Sequence, residues 1–183
     1  MKPYFKYTLA AILASGAALA GYYLHIVTAP GNGGIQFIEP TREYATLQAL
    51  LQDPALRNKV VYVDFWHTGC APCLAEFALL PKLKAQVKDP AVTYLYLGKD
   101  RSVPGEKFRW KKMVAEKRVT GYHYFISDAQ FYAFWQEAVT DKTIPPQFPH
   151  HLLVNRQGQI VDGNAPGPAS PQLIALLQKE LHQ

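Results

Sequence analysis

The chemistry in this chain is concentrated in Cys70 and Cys73, the only two cysteines among its 183 residues. They directly follow an apolar, strand-like run from Val60 to Phe65. With two intervening residues on a first helical turn, the sulfurs come close enough to form a disulfide with little movement of the backbone. The spacing therefore predicts a pair that cycles between dithiol and disulfide, placed where a strand turns into a helix.

The two sulfurs are expected to have different roles. The unpaired N–H groups and the dipole at a helix start stabilise the thiolate of Cys70 and make it the nucleophile. Cys73, one turn further along, is placed to attack the mixed disulfide that Cys70 forms with a partner. That second attack releases the product and leaves a Cys70–Cys73 disulfide, so the reaction needs both sulfurs.

Cysteines at this spacing also occur in metal sites, so the alternatives need weighing. Structural zinc usually takes four ligands, and the chain has no second cysteine pair. Reduced thiols suit Cu(I), and a Cu(I)-handling module using the same cysteines, with His67 or His150, is one alternative. His67, His150 and His151 are each interpreted, however, as solvated loop residues. An adaptor whose cysteines stay idle is a further alternative.

Two carboxylates near the cysteines are candidates for proton transfer. Asp64 lies inside a β-branched apolar run, where a carboxylate that points into the core is costly to ionise. We therefore expect a raised pKa for Asp64, which can then accept a proton from Cys73. Glu76 is the second candidate, on the exposed or substrate side of the helix, although an acid in a first turn also stabilises any helix.

A resemblance to a known family extends over residues 37–183. The segment from Val63 to Cys73, VDFWHTGCAPC, resembles the active-site segment of thioredoxin-fold proteins, in particular the membrane-tethered TlpA/ResA-like branch. Glu76 resembles the acidic residue that this branch often carries. Residues 148–158, FPHHLLVNRQG, are similar to its cis-proline strand and hairpin.

The resemblance implies a thioredoxin-like three-layer α/β fold, with a mixed central sheet flanked by helices. It also implies thiol-disulfide oxidoreductase activity with no cofactor beyond the redox-active disulfide. In such a site Asp64 accepts the proton of Cys73, and Trp66 packs beside the cysteines. Pro149 is cis and faces the pair, and the backbone of Phe148 binds an extended substrate. Gly69 stands where the family commonly has a bulky residue, which predicts an open surface beside Cys70.

The N-terminal segment predicts export. Lys2 and Lys6 precede an uncharged stretch from Tyr7 to Val27, which is long enough to cross a bilayer as a helix. Lysines ahead of such a stretch orient the rest of the chain outward. The small residues of Ala18-Leu19-Ala20 are also a credible signal-peptide cleavage site. Residues 1–28 are therefore interpreted as a signal anchor, preceding the domain as a hydrophobic helix, or as a signal peptide.

The remainder is interpreted as a flexible linker over residues 29–36 and one domain over residues 37–183. Apolar runs separated by helices favour parallel strands, and a terminal hairpin would add antiparallel ones. Helices are predicted over 41–52, 71–88, 107–119, 128–140 and 171–182, and strands over 59–65, 92–97, 122–126, 152–154 and 159–161.

Positive charge is concentrated between the predicted strands. Residues 101–118 hold seven basic and two acidic residues, which equals the chain's net charge of +5. Such a run is typical of a solvated helix face, and a docking patch for an acidic partner is the alternative. Nucleic acid is not an expected partner of an exported domain. Seven aromatic residues between Tyr122 and Trp135 are predicted to lie in the core.

Together these features predict a monomeric reductase on the periplasmic side of a bacterial cell envelope, anchored in the inner membrane. Its substrates would be disulfides of other exported proteins, and its electrons would come from a membrane dithiol donor. A disulfide-donating oxidase is the alternative, because the direction of exchange depends on the reduction potential.

Overall fold

The computed structural model describes residues 15–19, 21, 34–38 and 43–183. Residues 15–19 and 21 are helical, and the rest of the predicted hydrophobic helix lies outside the described residues, as does most of the predicted linker. Over the described ranges, no helix has both the length and the hydropathy that a bilayer span requires.

A six-stranded mixed sheet forms the centre of the domain, in the order β1-β4-β3-β2-β5-β6. The first four strands in that order are parallel to one another, while β5 pairs antiparallel with both β2 and β6. The predicted combination of parallel strands and a terminal antiparallel hairpin is thus confirmed. The strands are β1 (Ile35–Phe37), β2 (Val60–Trp66), β3 (Val92–Lys99), β4 (Gly121–Ile126), β5 (His150–Val154) and β6 (Ile160–Asp162).

Helices cover both faces of the sheet and make the fold a three-layer α/β arrangement. They are α1 (Leu47–Leu51), α2 (Ala71–Phe77), α3 (Leu80–Gln86), α4 (Glu106–Glu116), α5 (Asp128–Ala138) and α6 (Pro171–Leu181). Apolar residues of α2, α3, α4 and α6 pack on one face, and those of α1 and α5 pack on the other. Side chains of β2 alternate between the two cores, as the period of a strand requires.

Two predicted helices differ most from their predicted bounds. The first begins at Leu47 rather than at residue 41, and the Thr46 side chain caps it by accepting a 3.1 Å hydrogen bond from the Ala49 N–H. The helix predicted over 71–88 is interrupted at Ala78 and Leu79. Pro81 explains the break, since it has no N–H to continue the helical hydrogen bonds and its ring clashes with the preceding turn.

The first strand begins within the predicted linker. Ile35 pairs with Gly121 of β4 and is 7% exposed, so residues 35 and 36 belong to the sheet. A short apolar run of this kind becomes a strand only because the edge of β4 is available to pair with it.

Most of the predicted aromatic core is confirmed. Tyr124, Phe131, Phe134 and Trp135 are buried on the α5 face of the sheet. Tyr132 is the exception, since it is 52% exposed on the outer side of α5.

Candidate active site

The cysteine pair lies at the junction between β2 and α2. Cys70 is the N-cap residue of α2 and is joined to Cys73 by a disulfide, with the two Cα atoms 5.3 Å apart. The Cys73 N–H also donates a 3.2 Å hydrogen bond to Cys70 Sγ. Because an ionised sulfur is a stronger acceptor than a neutral one, this bond favours the Cys70 thiolate once the disulfide is reduced.

The two sulfurs differ in their access to solvent. Cys70 retains 5% exposure beside the exposed Ala71 and Pro72, whereas Cys73 is completely buried. A large partner can therefore approach Cys70 and not Cys73. This asymmetry favours the predicted roles of nucleophile and resolving cysteine.

Asp64 lies in the middle of β2, and its side chain is 2% exposed. The pairing of alternate residues places it on the same sheet face as Tyr62 and Trp66, the face that carries the cysteines. Burial raises the pKa of Asp64 to about 7, against the opposing effect of His151. The predicted elevation is confirmed, and a carboxyl with this pKa can take up or release a proton near neutral pH.

The interpretation of His150 and His151 as solvated loop residues is wrong. Both lie in β5, with 2% and 5% exposure. His150 packs against Trp135 on the opposite sheet face, with its Nε2 2.8 Å from the Gly163 carbonyl oxygen. This position away from the cysteines does not favour the Cu(I) alternative.

His151 lies on the cysteine side of the sheet, between both predicted carboxylates. Its Nε2 is 3.1 Å from Glu76 Oε2 and 3.6 Å from Asp64 Oδ1. The Glu76 side chain, predicted to lie on the exposed or substrate side of the helix, turns toward His151 and keeps 25% exposure. Burial lowers the pKa of His151, but the Glu76 hydrogen bond and the Asp64 charge outweigh that effect and raise it.

Trp66 is fully buried and packs edge-to-face on Phe77 of α2, with ring centroids 4.9 Å apart. It belongs to the same core cluster as both cysteines.

The peptide bond between Phe148 and Pro149 is cis, as the resemblance implies. His150 pairs with Phe65, which places Pro149 level with Trp66 at the cysteine end of the sheet. The half-buried Phe148 ring lies between His67 and Phe131, at centroid distances of 4.8 and 4.9 Å.

The predicted open surface beside Cys70 is wrong. A Cβ on Gly69 would lie 2.8 Å from Cζ of Arg101, so the guanidinium occupies the space that a side chain at position 69 would need. Arg101 also donates a 3.4 Å hydrogen bond to Thr68 Oγ1, and the Thr68 hydroxyl bonds Glu106 in the first turn of α4. The run of basic residues over 101–118 therefore begins beside the active-site loop. No local sequence pattern predicts the contact between Arg101 and Gly69, which are 32 residues apart.

Comparisons with known proteins identify the fold. No family model matches the chain, and no curated protein matches it in sequence. The thioredoxin domain of a thiol-disulfide oxidoreductase from Bacteroides vulgatus is 26% identical, with a TM-score of 0.51 over 67% of this chain and 79% of that one. A thiol:disulfide interchange protein from Bacteroides sp. is also 26% identical, with a TM-score of 0.50 over 69% and 75%.

A thiol:disulfide interchange protein of the thioredoxin family from Chlorobium tepidum has a TM-score of 0.51 over 68% of this chain and 81% of that one. At 13% identity this likeness concerns the fold alone. The predicted thioredoxin-like fold is thus confirmed, and the structural neighbours are thiol-disulfide oxidoreductases. The closed cysteine pair at the end of β2 supports the same exchange chemistry here.

Proposed function

We propose that this thiol-disulfide oxidoreductase of thioredoxin-like fold reduces disulfides in other exported proteins. The observation that carries the proposal is the unequal access of two bonded sulfurs. Cys70 keeps 5% exposure at the β2–α2 junction, and Cys73 is completely buried behind it. Reduction by this route requires one sulfur that a partner can reach and one that it cannot.

The reaction proceeds by two exchanges. The Cys70 thiolate attacks one sulfur of the partner disulfide, so that a Cys70–partner bond forms, the partner's own bond breaks, and one partner thiolate leaves and takes a proton from water. Cys73 then loses its proton and attacks Cys70, which releases the second partner thiolate. Two electrons have passed from the dithiol to the partner, and the Cys70–Cys73 disulfide remains.

Asp64 is proposed as the acceptor of the Cys73 proton. Its pKa of about 7 leaves a substantial fraction of the carboxyl ionised and ready to accept at neutral pH. Pro149 and Phe148 are proposed to bind an extended substrate segment beside Cys70. Both are half-buried at the cysteine end of the sheet, where such a segment would have to lie.

Variants of the two cysteines test the mechanism. Cys70→Ser is expected to abolish exchange with a disulfide-containing protein. Cys73→Ser is expected to accumulate a covalent adduct with the substrate, visible as a reductant-sensitive band on a non-reducing gel. Exchange that persists in Cys70→Ser would overturn the proposal.

The proposal that the protein reduces its partners, rather than oxidising them, rests on Ala71 and Pro72. This dipeptide between the cysteines resembles those of disulfide reductases more than those of oxidases. A fragment from Gly34 to Gln183, equilibrated in graded dithiothreitol or glutathione buffers with trapping of free thiols, measures the potential. A two-electron couple near the thioredoxin value of about −270 mV supports a reductase. A value near about −120 mV would make the protein a disulfide-donating oxidase instead.

We further propose that the domain acts as a monomer on the periplasmic side of a bacterial inner membrane and receives electrons from a membrane dithiol donor. Lys2, Lys6 and the uncharged stretch over residues 7–27 support an anchor or signal peptide. Because β1 begins at Ile35, the linker then ends at Gly34. Alkaline extraction of membranes and protease accessibility in permeabilised cells test this placement, and a domain protected in the cytoplasm would contradict it.

A further inference from the structure

We propose that His151 is a proton-relay residue that connects buried Asp64 to the partly exposed Glu76 during resolution by Cys73. The inference rests on the proposed dithiol exchange and goes beyond it, since it assigns a path by which the Cys73 proton leaves the core. His151 does not act on sulfur itself. It is a positioning residue that acts through the two carboxylates.

The strand register brings Asp64 and His151 together. The two residues are direct partners across the antiparallel β2–β5 pair, so their side chains project from the same face. Asp64 Oδ1 accepts no hydrogen bond from any described residue, and His151 Nε2, 3.6 Å away, is the charged or polar group that approaches it in an ion pair. An ionised carboxylate is costly to bury without a partner, so ionised Asp64 is stabilised mainly by the His151 imidazole.

His151 Nε2 also lies close to a carboxylate that is partly exposed to solvent. His151 Nε2 lies 3.1 Å from Glu76 Oε2, and the Glu76 side chain is 25% exposed whereas His151 and Asp64 are 6% and 2% exposed. One nitrogen can thus take a proton from Asp64, hold it as an imidazolium and pass it to Glu76. The three side chains form a graded path from the buried carboxyl to solvent.

The imidazole is held in this position from several sides. Its ring stacks on Tyr62, with centroids 5.2 Å apart and planes inclined by 12°. A Cβ on Gly167 would lie 2.9 Å from Glu76 Oε1 and 3.7 Å from His151 Cε1, so this loop glycine closes over the pair. The Tyr62 hydroxyl donates a 2.9 Å hydrogen bond to the Pro166 carbonyl oxygen of the same loop.

Other titratable groups around the relay come from two strands and two helices. Tyr62 and Asp64 face it from β2. On the neighbouring β3, the Tyr94 and Tyr96 hydroxyls act on Tyr62, and the Asp64 charge acts on Tyr96. From α3, Lys84 lies over the Tyr94 ring at 4.5 Å, and from α2 comes Glu76. Burial raises the pKa of Tyr94 to about 12 and that of Tyr96 well above its ordinary value, and it lowers the pKa of Lys84 to about 8, so among these neighbours Lys84 also titrates close to neutral pH.

A two-step reaction with a small disulfide isolates the resolving step. When reduced protein reacts with one equivalent of dithiobis(nitrobenzoate), the attack of Cys70 releases one coloured thiolate, and displacement by Cys73 releases the other. The second phase is intramolecular and does not depend on the reagent concentration. Its rate as a function of pH therefore reports on the removal of the Cys73 proton.

We expect His151→Gln to slow the second phase at least about tenfold below neutral pH, since positioned proton transfer commonly contributes more than that. The midpoint of the pH profile moves to higher pH, because His151 no longer lowers the pKa of Asp64. The first phase is unchanged. Glu76→Gln, which keeps His151 but removes the outer carboxylate, slows the same phase, whereas His182→Gln at the exposed end of α6 leaves both phases as in wild type.

Carbon NMR titration of the Asp64 carboxyl supplies a readout that does not depend on turnover. Its midpoint is expected to rise in His151→Gln, provided that the variant keeps its circular dichroism spectrum. A second phase with the wild-type pH profile in both His151→Gln and Glu76→Gln would overturn the relay, even if both variants melt at a lower temperature. Failure of the proposed function would look different, since wild-type protein would then release only one coloured thiolate per molecule, as Cys73→Ser does.

Discussion

Arg101 is the residue that most changes the expected character of the surface beside the nucleophile. The guanidinium occupies the space next to Gly69, immediately before Cys70, and the Arg101 side chain is exposed. A positive charge at this position attracts anionic groups and repels cationic ones over roughly a Debye length, about 10 Å at moderate salt. The site should therefore discriminate between disulfides by their charge.

We expect Arg101→Gln to slow the first exchange of reduced protein with dithiobis(nitrobenzoate), a dianion, by about threefold at low salt, and to accelerate exchange with cystamine, a dication. Stopped-flow measurement of both rates gives the ratio. The effect should fall as salt is added, since an exposed charge is screened.

Arg57→Gln is the matched control for this experiment. It removes the same charge ahead of β2, at the end of the strand opposite to Cys70, and should leave the ratio of the two rates unchanged. Equal changes in both rates on replacing Arg101 would show that the guanidinium acts through loop structure rather than through charge.

At the scale of elements, the contact between Gly98 of β3 and Trp110 of α4 determines how closely α4 lies on the sheet. A Cβ on Gly98 would lie 2.1 Å from Trp110 Nε1, so only glycine allows the indole to cross the strand at this height. Trp110 is 2% exposed and packs edge-to-face on Phe37 of β1 at 5.1 Å. The helix that carries four of the seven basic residues of segment 101–118 is thus positioned through one small residue.

Gly98→Ala is expected to lower the free energy of unfolding by about 1 to 3 kcal/mol, the usual cost of overpacking a well-filled core. Urea denaturation of the oxidised protein measures it. The double variant Gly98→Ala with Trp110→Phe should lose less than the sum of the two single variants, because the smaller ring relieves the clash. Strict additivity would mean that the two residues do not compete for space.

Some residues of the candidate site could be predicted from the sequence, and others could not. Cys70, Cys73 and Asp64 were accessible to prediction because their meaning depends on local spacing and on the alternation within β2. His151 was missed because its burial depends on the register between β2 and β5, which no local pattern specifies. The alternation of His151 with Leu153, which is buried, was the one pattern in the sequence that could have indicated a buried position for His151. Arg101 was missed for a similar reason, since it meets Gly69 only after the chain has passed through β3.

Over the whole molecule, two buried groups give the stability opposite dependences on pH. The pKa of Asp64 is raised from 3.8 to about 7, so the folded state binds more protons than the unfolded state between those values, and stability falls as pH rises through them. Burial lowers the pKa of His123 from 6.5 to about 3, so in that window stability rises with pH. The two effects oppose each other across the mildly acidic range.

Asp64→Asn removes the loss of stability that Asp64 causes as pH rises, and it leaves the opposite pH dependence from His123. The stability of this variant relative to wild type should be greater at about pH 8 than at about pH 4, by about 2 to 4 kcal/mol, since each unit of pKa shift corresponds to about 1.4 kcal/mol. Chemical denaturation of the oxidised protein at both pH values measures the difference. A difference between Asp64→Asn and wild type that is the same at both pH values would contradict the prediction.

The direction of β1 determines at which end of the domain the chain enters the sheet. β1 is parallel to β2 through β4 and β3, and the pairings place Ile35 level with Tyr62, four residues or about 13 Å before Trp66. The chain ahead of Ile35 therefore meets the sheet from the end remote from Cys70. A purification tag or a bead joined directly to Gly34 therefore lies at the end of the domain opposite to the reactive sulfur.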